Sequence, residues 1–207
     1  MSAPYAHPAD QALQSICPTV MVPLHGTLES LKENGHRFLS ASDGLWVEIR
    51  RPWLHLVWPI AQHQGYPTPY GRAERKIELA FNTIDKELID RFVEDARSSC
   101  PYEMGAWLVW DDIQRKLVYR RLETTHAGPA SLKFSCPQLA PHESLAVDLH
   151  SHCLFPAFFS QEDDRDDLMA VKIAGVFVRT QNTDPESKLR LCIGGKFIEL
   201  KEAGNNS

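Results

Sequence analysis

The sequence lacks the features that direct a chain to membranes, to nucleic acid or to an oxidising compartment. None of its apolar runs approaches the roughly 20 residues that a membrane-spanning helix needs. Its N-terminus has no basic stretch followed by an apolar one, so no secretory signal is expected. Lysine and arginine (22) are fewer than aspartate and glutamate (27), the net charge is −5, and the basic residues are scattered. A nucleic-acid surface is therefore not expected, nor is a membrane one. There is no Cys-x-x-Cys pair. The five cysteines, Cys17, Cys100, Cys136, Cys153 and Cys192, are widely separated and odd in number. Reduced thiols in a cytoplasm fit that usage better than a disulfide framework. No internal repeat is present.

What remains is an ordinary globular composition. With 207 residues, 43% of them hydrophobic, the chain can bury the core of one domain with a small annex. Residues 1–35, rich in proline, alanine, serine and histidine, are expected to form an extended lead-in. Residues 36–72 read as a small antiparallel meander with strands at 36–40, 45–50 and 53–58, turning at Asp43-Gly44 and Arg51-Pro52. In its middle strand Leu45, Val47 and Ile49 alternate with Trp46, Glu48 and Arg50, as in a half-buried strand. Trp46, Trp53 and Trp58 are expected to pack mostly in a core, with a docking face as the alternative reading.

Residues 73–200 read as the main domain, of α/β (α+β) class. A strand is expected at 75–81, then a helix over 85–98 capped by Asp85, with Leu88, Ile89, Phe92, Val93 and Ala96 on one stripe. Met104–Trp110 is almost continuously apolar and suits a central strand; 116–122 pairs back. The stretch 123–142 is irregular apart from a short strand at 131–135. Lys172–Arg179 is a core strand, and Gly194-Gly195 marks a hairpin between 189–193 and 196–200. A polar tail, 201–207, is expected to fray.

The chemistry concentrates in one stretch: Asp148-Leu-His150-Ser-His152, then Ser160-x-x-Asp163. Histidines two apart on an extended strand end point the same way. Two imidazoles and one carboxylate suit a zinc ion with its fourth position open to water, one ion per chain. Ser160-x-x-Asp163 ahead of a helix is also a capping signature. The four positions at fixed spacing arise by chance in roughly one chain of this size in a thousand. Asp148 is expected to alternate away from the histidines unless a bulge intervenes, and is a weaker candidate to accept a hydrogen bond from an imidazole N–H. Asp164, Asp166 and Asp167 read as a solvated helix face that suits the macrodipole. Cys153, next to His152, reads as a buried, inert thiol, with an extra ligand or a nucleophile as the alternative.

The pattern resembles the JAMM motif of the JAB/MPN zinc metalloproteases, isopeptidases that cut after ubiquitin-like proteins. The resemblance covers roughly residues 74 to 200. It implies a cytidine-deaminase-like mixed sheet flanked by helices, and a glutamate at the start of an earlier buried strand, matched here by Glu103 with Gly105 after it. In the implied mechanism His150, His152 and Asp163 hold zinc, Glu103 moves protons and Ser160 donates to the oxyanion. The family often has proline where this chain has Cys153. A second resemblance takes in His36-Arg-Phe, Asp43-Gly-Leu-Trp-Val-Glu-Ile-Arg-Arg-Pro-Trp-Leu-His55, Pro156-Ala-Phe-Phe-Ser160 and Lys172-Ile-Ala-Gly-Val176. These look like the protein A family of the bacterial PRTRC cassettes. That likeness implies a ubiquitin-like protein and its conjugates as partners, with E1-like and E2-like proteins of the same operon. The competing expectations are a scaffold that keeps the fold without catalysis, and a metal hydrolase of small molecules.

Overall fold

The computed structural model describes residues 7–63, 67–128, 131–153, 156–178 and 186–200. The first six residues of the expected lead-in and the expected tail, 201–207, lie outside them. The chain divides into two compact units, Met1–Asn82 and Thr83–Ser207.

The first unit holds α1 (Pro8–Ile16), β1 (Thr19–Met21), β2 (Gly35–Ala41), β3 (Gly44–Arg51), β4 (Leu54–Gln62) and β5 (Lys76–Leu79). Its five strands pair in chain order. β1 runs parallel to β2 and the others are antiparallel. The lead-in is thus not wholly extended. α1 starts where Pro8 presets the first helical φ and His7 Nδ1 accepts from the Ala9 amide (3.2 Å). No α1 residue is buried, so local capping, not a core face, marks this helix. β5 is the strand expected at the head of the main domain. It pairs with β4 instead, which carries the first unit on to Asn82 rather than to residue 72. At the β2–β3 turn Gly44 has φ +139°, and a Cβ there would stand 2.2 Å from the Ala61 carbonyl oxygen, so only glycine fits.

β3 departs from the half-buried expectation. Val47 and Ile49 are buried on one face, Trp46 and Glu48 on the other. Trp46 packs with Val22, Leu39 and Ala41. Trp53 is also buried, so neither of these tryptophans belongs to a docking face. Trp58 is half-buried beneath the Arg75 guanidinium, 5.0 Å from its ring centre.

The second unit holds α2 (Lys86–Ser99), β6 (Gly105–Asp111), β7 (Lys116–Arg121), β8 (Glu123–Gly128), β9 (Ser131–Ser135), β10 (Glu143–His152), α3 (Gln161–Asp167), β11 (Val171–Val178), β12 (Glu186–Ile193) and β13 (Phe197–Leu200). Six strands form a mixed sheet in the order β13-β12-β11-β10-β6-β7, and β8 and β9 make a separate hairpin. β8 occupies part of the stretch expected to be irregular. β10 and β11 are parallel; the other pairs are antiparallel. The fold is α+β, as the sequence pattern led one to expect. α2 lays Phe92 edge-on against Phe177 of β11, ring centres 5.2 Å apart. α3 contacts Lys172, which alternation puts on the opposite face of that strand. The Gly194-Gly195 turn joins β12 to β13 with φ +65° and +103°, the left-handed pair a two-residue hairpin demands. Among the described residues no helix is long and apolar enough to cross a membrane.

Cys192 is fully buried in this sheet, and burial pushes its thiol up to about 12. Iodoacetamide at pH 8 should therefore modify exposed Cys136 in the native protein and reach Cys192 only after unfolding, as peptide mass mapping would read.

Candidate metal centre

Parallel pairing of β10 with β11, with α3 in the connection, brings the carboxyl end of β10 to the start of α3. Such crevices at carboxyl strand ends are where open α/β sheets bind ligands. A bulge between Leu145 and Val147 shifts β10 against β6 upstream of the histidines. From Asp148 onward alternation is unbroken, so Asp148, His150 and His152 share one face. That face opens on a cavity of about 330 Å³ lined by Glu103, His150, His152, Ser160 and Asp163.

His152 Nδ1 lies 3.2 Å from the Pro156 carbonyl, an acceptor only, so Nδ1–H donates there and Nε2 is the ring nitrogen left for the cavity. His150 Nε2 is buried and has no hydrogen-bond partner. Burial drives the His150 pKa down, which keeps the ring neutral, against the pull of nearby Asp163. The two rings stand 5.2 Å apart, centre to centre.

Asp163 divides its oxygens between two tasks. Oδ2 accepts from the Ser160 amide (2.6 Å) and the Ser160 hydroxyl (2.7 Å), while Ser160 Oγ accepts from the Asp163 amide (3.2 Å). This is a capping box. Oδ1 is left facing His150 Nε2 at 3.5 Å. The capping reading and the ligand reading of Ser160-x-x-Asp163 are thus compatible. The Ser160 proton expected at an oxyanion is here donated to Asp163.

Glu103 reaches the site through backbone pairing just ahead of β6. The Ser151 amide donates to the Met104 carbonyl (2.9 Å), and the Met104 amide donates to Ser151 Oγ (3.1 Å). Glu103 Oε1 then lies 4.0 Å from His152 Nε2. Burial raises the Glu103 pKa; His152 opposes that shift and Asp163 adds to it.

Several surroundings differ from expectation or were not anticipated. Asp148 accepts from the Lys172 ammonium (2.6 Å) rather than from an imidazole. Asp167 is not solvated: it is buried between Lys172 (2.7 Å) and Arg190 (2.8 Å). Asp166 does remain exposed, at the cavity rim. Cys153 is half-buried with its thiol 3.3 Å from the Tyr102 carbonyl. Two aromatic walls carried no sequence signal of their own: Phe158, edge-on to His152 at 5.1 Å, and Phe134, whose ring fills the space a side chain on Gly105 would need.

The donor set fits zinc chemically. Ligands about 2.0–2.2 Å from a tetrahedral ion sit about 3.3–3.6 Å apart, which matches the His150–Asp163 separation of 3.5 Å. The trio of His150, His152 and Asp163 does not share that spacing: its ligand atoms do not all lie within 4.8 Å of one another. Among the described residues the trio whose ligand atoms all lie within 4.8 Å of one another is Asp111, His142 and Glu143. Those carboxylates are already employed. Asp111 accepts from the Ile113 and Gln114 amides and the Gln114 side chain, and Glu143 pairs with Arg120 and the Ala140 amide. His150 Nε2, by contrast, is buried with no hydrogen-bond partner and so has a lone pair or proton still to place.

Residues 85–191, more than half of the chain, match the family model described as prokaryotic homologs of the JAB domain. Residues 7–80 match a domain of unknown function, DUF2016. No curated protein matches the chain significantly.

Proposed function

From the premise that the chain belongs to the prokaryotic homologs of the JAB domain, we propose that it is a zinc-dependent peptidase or isopeptidase. JAB-type domains are compatible with hydrolysis or with a scaffold role. The observation that favours hydrolysis is the buried His150 Nε2, without a hydrogen-bond partner and held 3.5 Å from the Asp163 oxygen that the capping box leaves over. His150 and His152 would hold the ion through Nε2, and Asp163 through Oδ1. Zinc held there would supply Lewis acidity, making water more acidic and a carbonyl more electrophilic. The chain's own residues manage the protons. Glu103 takes the proton of the attacking water as its oxygen adds to the carbonyl carbon, then delivers it to the amine as the C–N bond breaks. Ser160 orients Asp163; an oxyanion contribution requires its hydroxyl to leave that carboxylate.

The substrate proposed is the C-terminus of a bacterial ubiquitin-like protein, joined to a target or to a precursor tail. Its support is the likeness to the PRTRC protein A family. An extended tail suits a cleft at a strand end beside a sheet. E1-like and E2-like proteins of the same operon are the further partners.

Metal analysis of the purified chain should find about one zinc per molecule, lost in His150→Ala. The zinc-loaded chain should release a reporter fused to the C-terminus of the ubiquitin-like protein encoded beside it. The looseness of the trio favours a scaffold as the second reading. A chain that holds no zinc, yet binds that protein, would establish the scaffold.

A further inference from the structure

We propose that Lys172 and Arg190 are positioning residues that set the geometry of the metal ligands. The inference rests on the zinc reading above and goes beyond it. The ligands come from separate elements, the histidines from β10 and the aspartate from α3. Nothing in local sequence fixes the distance between those elements. One ammonium spans them: Lys172, on β11, donates to Asp148 on β10 (2.6 Å) and to Asp167 on α3 (2.7 Å). Asp148 stands two residues before His150, on the same face. Asp167 stands four residues after Asp163, one turn along the same helix.

Arg190 fixes the rest of α3. Its guanidinium pairs with Asp167 (2.8 Å) and with Asp164, one residue after the ligand. It also lies against the rings of Phe159 (3.8 Å) and Phe197 (3.9 Å). Phe159 directly precedes Ser160, the cap that turns Asp163 Oδ1 toward His150. The helix is therefore held at its entry, its first turn and its last residue by one side chain rooted in the sheet. Arg190 and Asp167 are both buried. Buried ion clusters contribute little net stability, because desolvation offsets attraction; fixing one arrangement is their best-attested use.

The test uses the full chain and three readouts: zinc affinity by chelator competition, the absorption spectrum of the cobalt-substituted protein at saturation, and unfolding of the metal-free protein. Lys172→Met and Arg190→Lys should each weaken zinc about 10- to 100-fold. Each should also alter the cobalt spectrum even at saturation, which a role in stability alone would not do. Arg190→Lys keeps the charge, so it decides the matter if Lys172→Met fails to fold. Folded variants with wild-type affinity and spectrum would overturn the positioning role. A wild-type chain that binds no zinc would overturn the reading on which it rests.

Discussion

Glu103→Gln should keep its zinc and lose turnover by about 10²- to 10⁴-fold, the range that removal of a positioned proton-transfer group produces. The replacement keeps the shape of the side chain and its backbone setting, where Ser151 and Met104 bond across to hold the strand. It removes the capacity to accept a proton at a carboxylate outside the proposed ligand set that faces His152 at 4.0 Å. Zinc content must be measured on the same preparation. A fall in turnover together with a fall in metal would make Glu103 a ligand or a packing residue. Full turnover with full metal would take proton transfer away from it. His152→Ala is the matched control, since it should lose both.

Much of this site was legible in the sequence because strand periodicity is simple. His150 and His152 fall on one face by spacing alone, and the apolar run before them announces the strand. Ser160-x-x-Asp163 was ambiguous for a physical reason: a carboxylate has two oxygens, and this one gives the first to a cap and turns the second to an imidazole. The Lys172–Asp167–Arg190 cluster was hidden because residues 148, 167, 172 and 190 meet only through the parallel β10–β11 pairing and the placement of α3. α1 was missed because the apolar pattern of 1–35 is weak and none of its residues is buried. β5 alternates as any edge strand does, and alternation says nothing about which sheet it joins. Glu48 misled for the opposite reason. Its place in an alternating strand implied solvent, yet it is buried with its charge satisfied.

That burial makes Glu48→Gln the substitution with the largest expected effect on stability. Glu48 Oε1 accepts from the Leu31 amide and from His55 Nε2, each at 2.9 Å, and Oε2 accepts from Arg37 Nε at 2.7 Å. Removing the negative charge leaves the guanidinium of Arg37, only 13% exposed, without its counter-ion. Breaking a buried pair from one side costs about 3–5 kcal/mol, whereas replacing both partners with apolar residues is often near neutral. At about 4–8 °C per kcal/mol for a unit of this size, the melting temperature of the Met1–Asn82 unit should fall by more than about 10 °C. Arg37→Met combined with Glu48→Gln removes the unpaired guanidinium and keeps an acceptor for the Leu31 amide and His55 Nε2, so it should recover part of that loss.

The pH dependence has a definite sign. Burial alone would raise the Glu48 pKa, but the Leu31 amide, His55 and Arg37 outweigh it and hold the carboxyl below its ordinary value of 4.5. A depressed carboxylate adds stability that is fully present above the unfolded value and is lost as pH falls through the folded one. The wild-type unit should thus lose stability on the acid side of pH 4.5, and the Gln variant should show a flatter acid limb. Equal melting temperatures at pH 7 with parallel acid limbs would mean that Leu31, Arg37 and His55 are held by packing alone, with no stabilisation from the charge they surround.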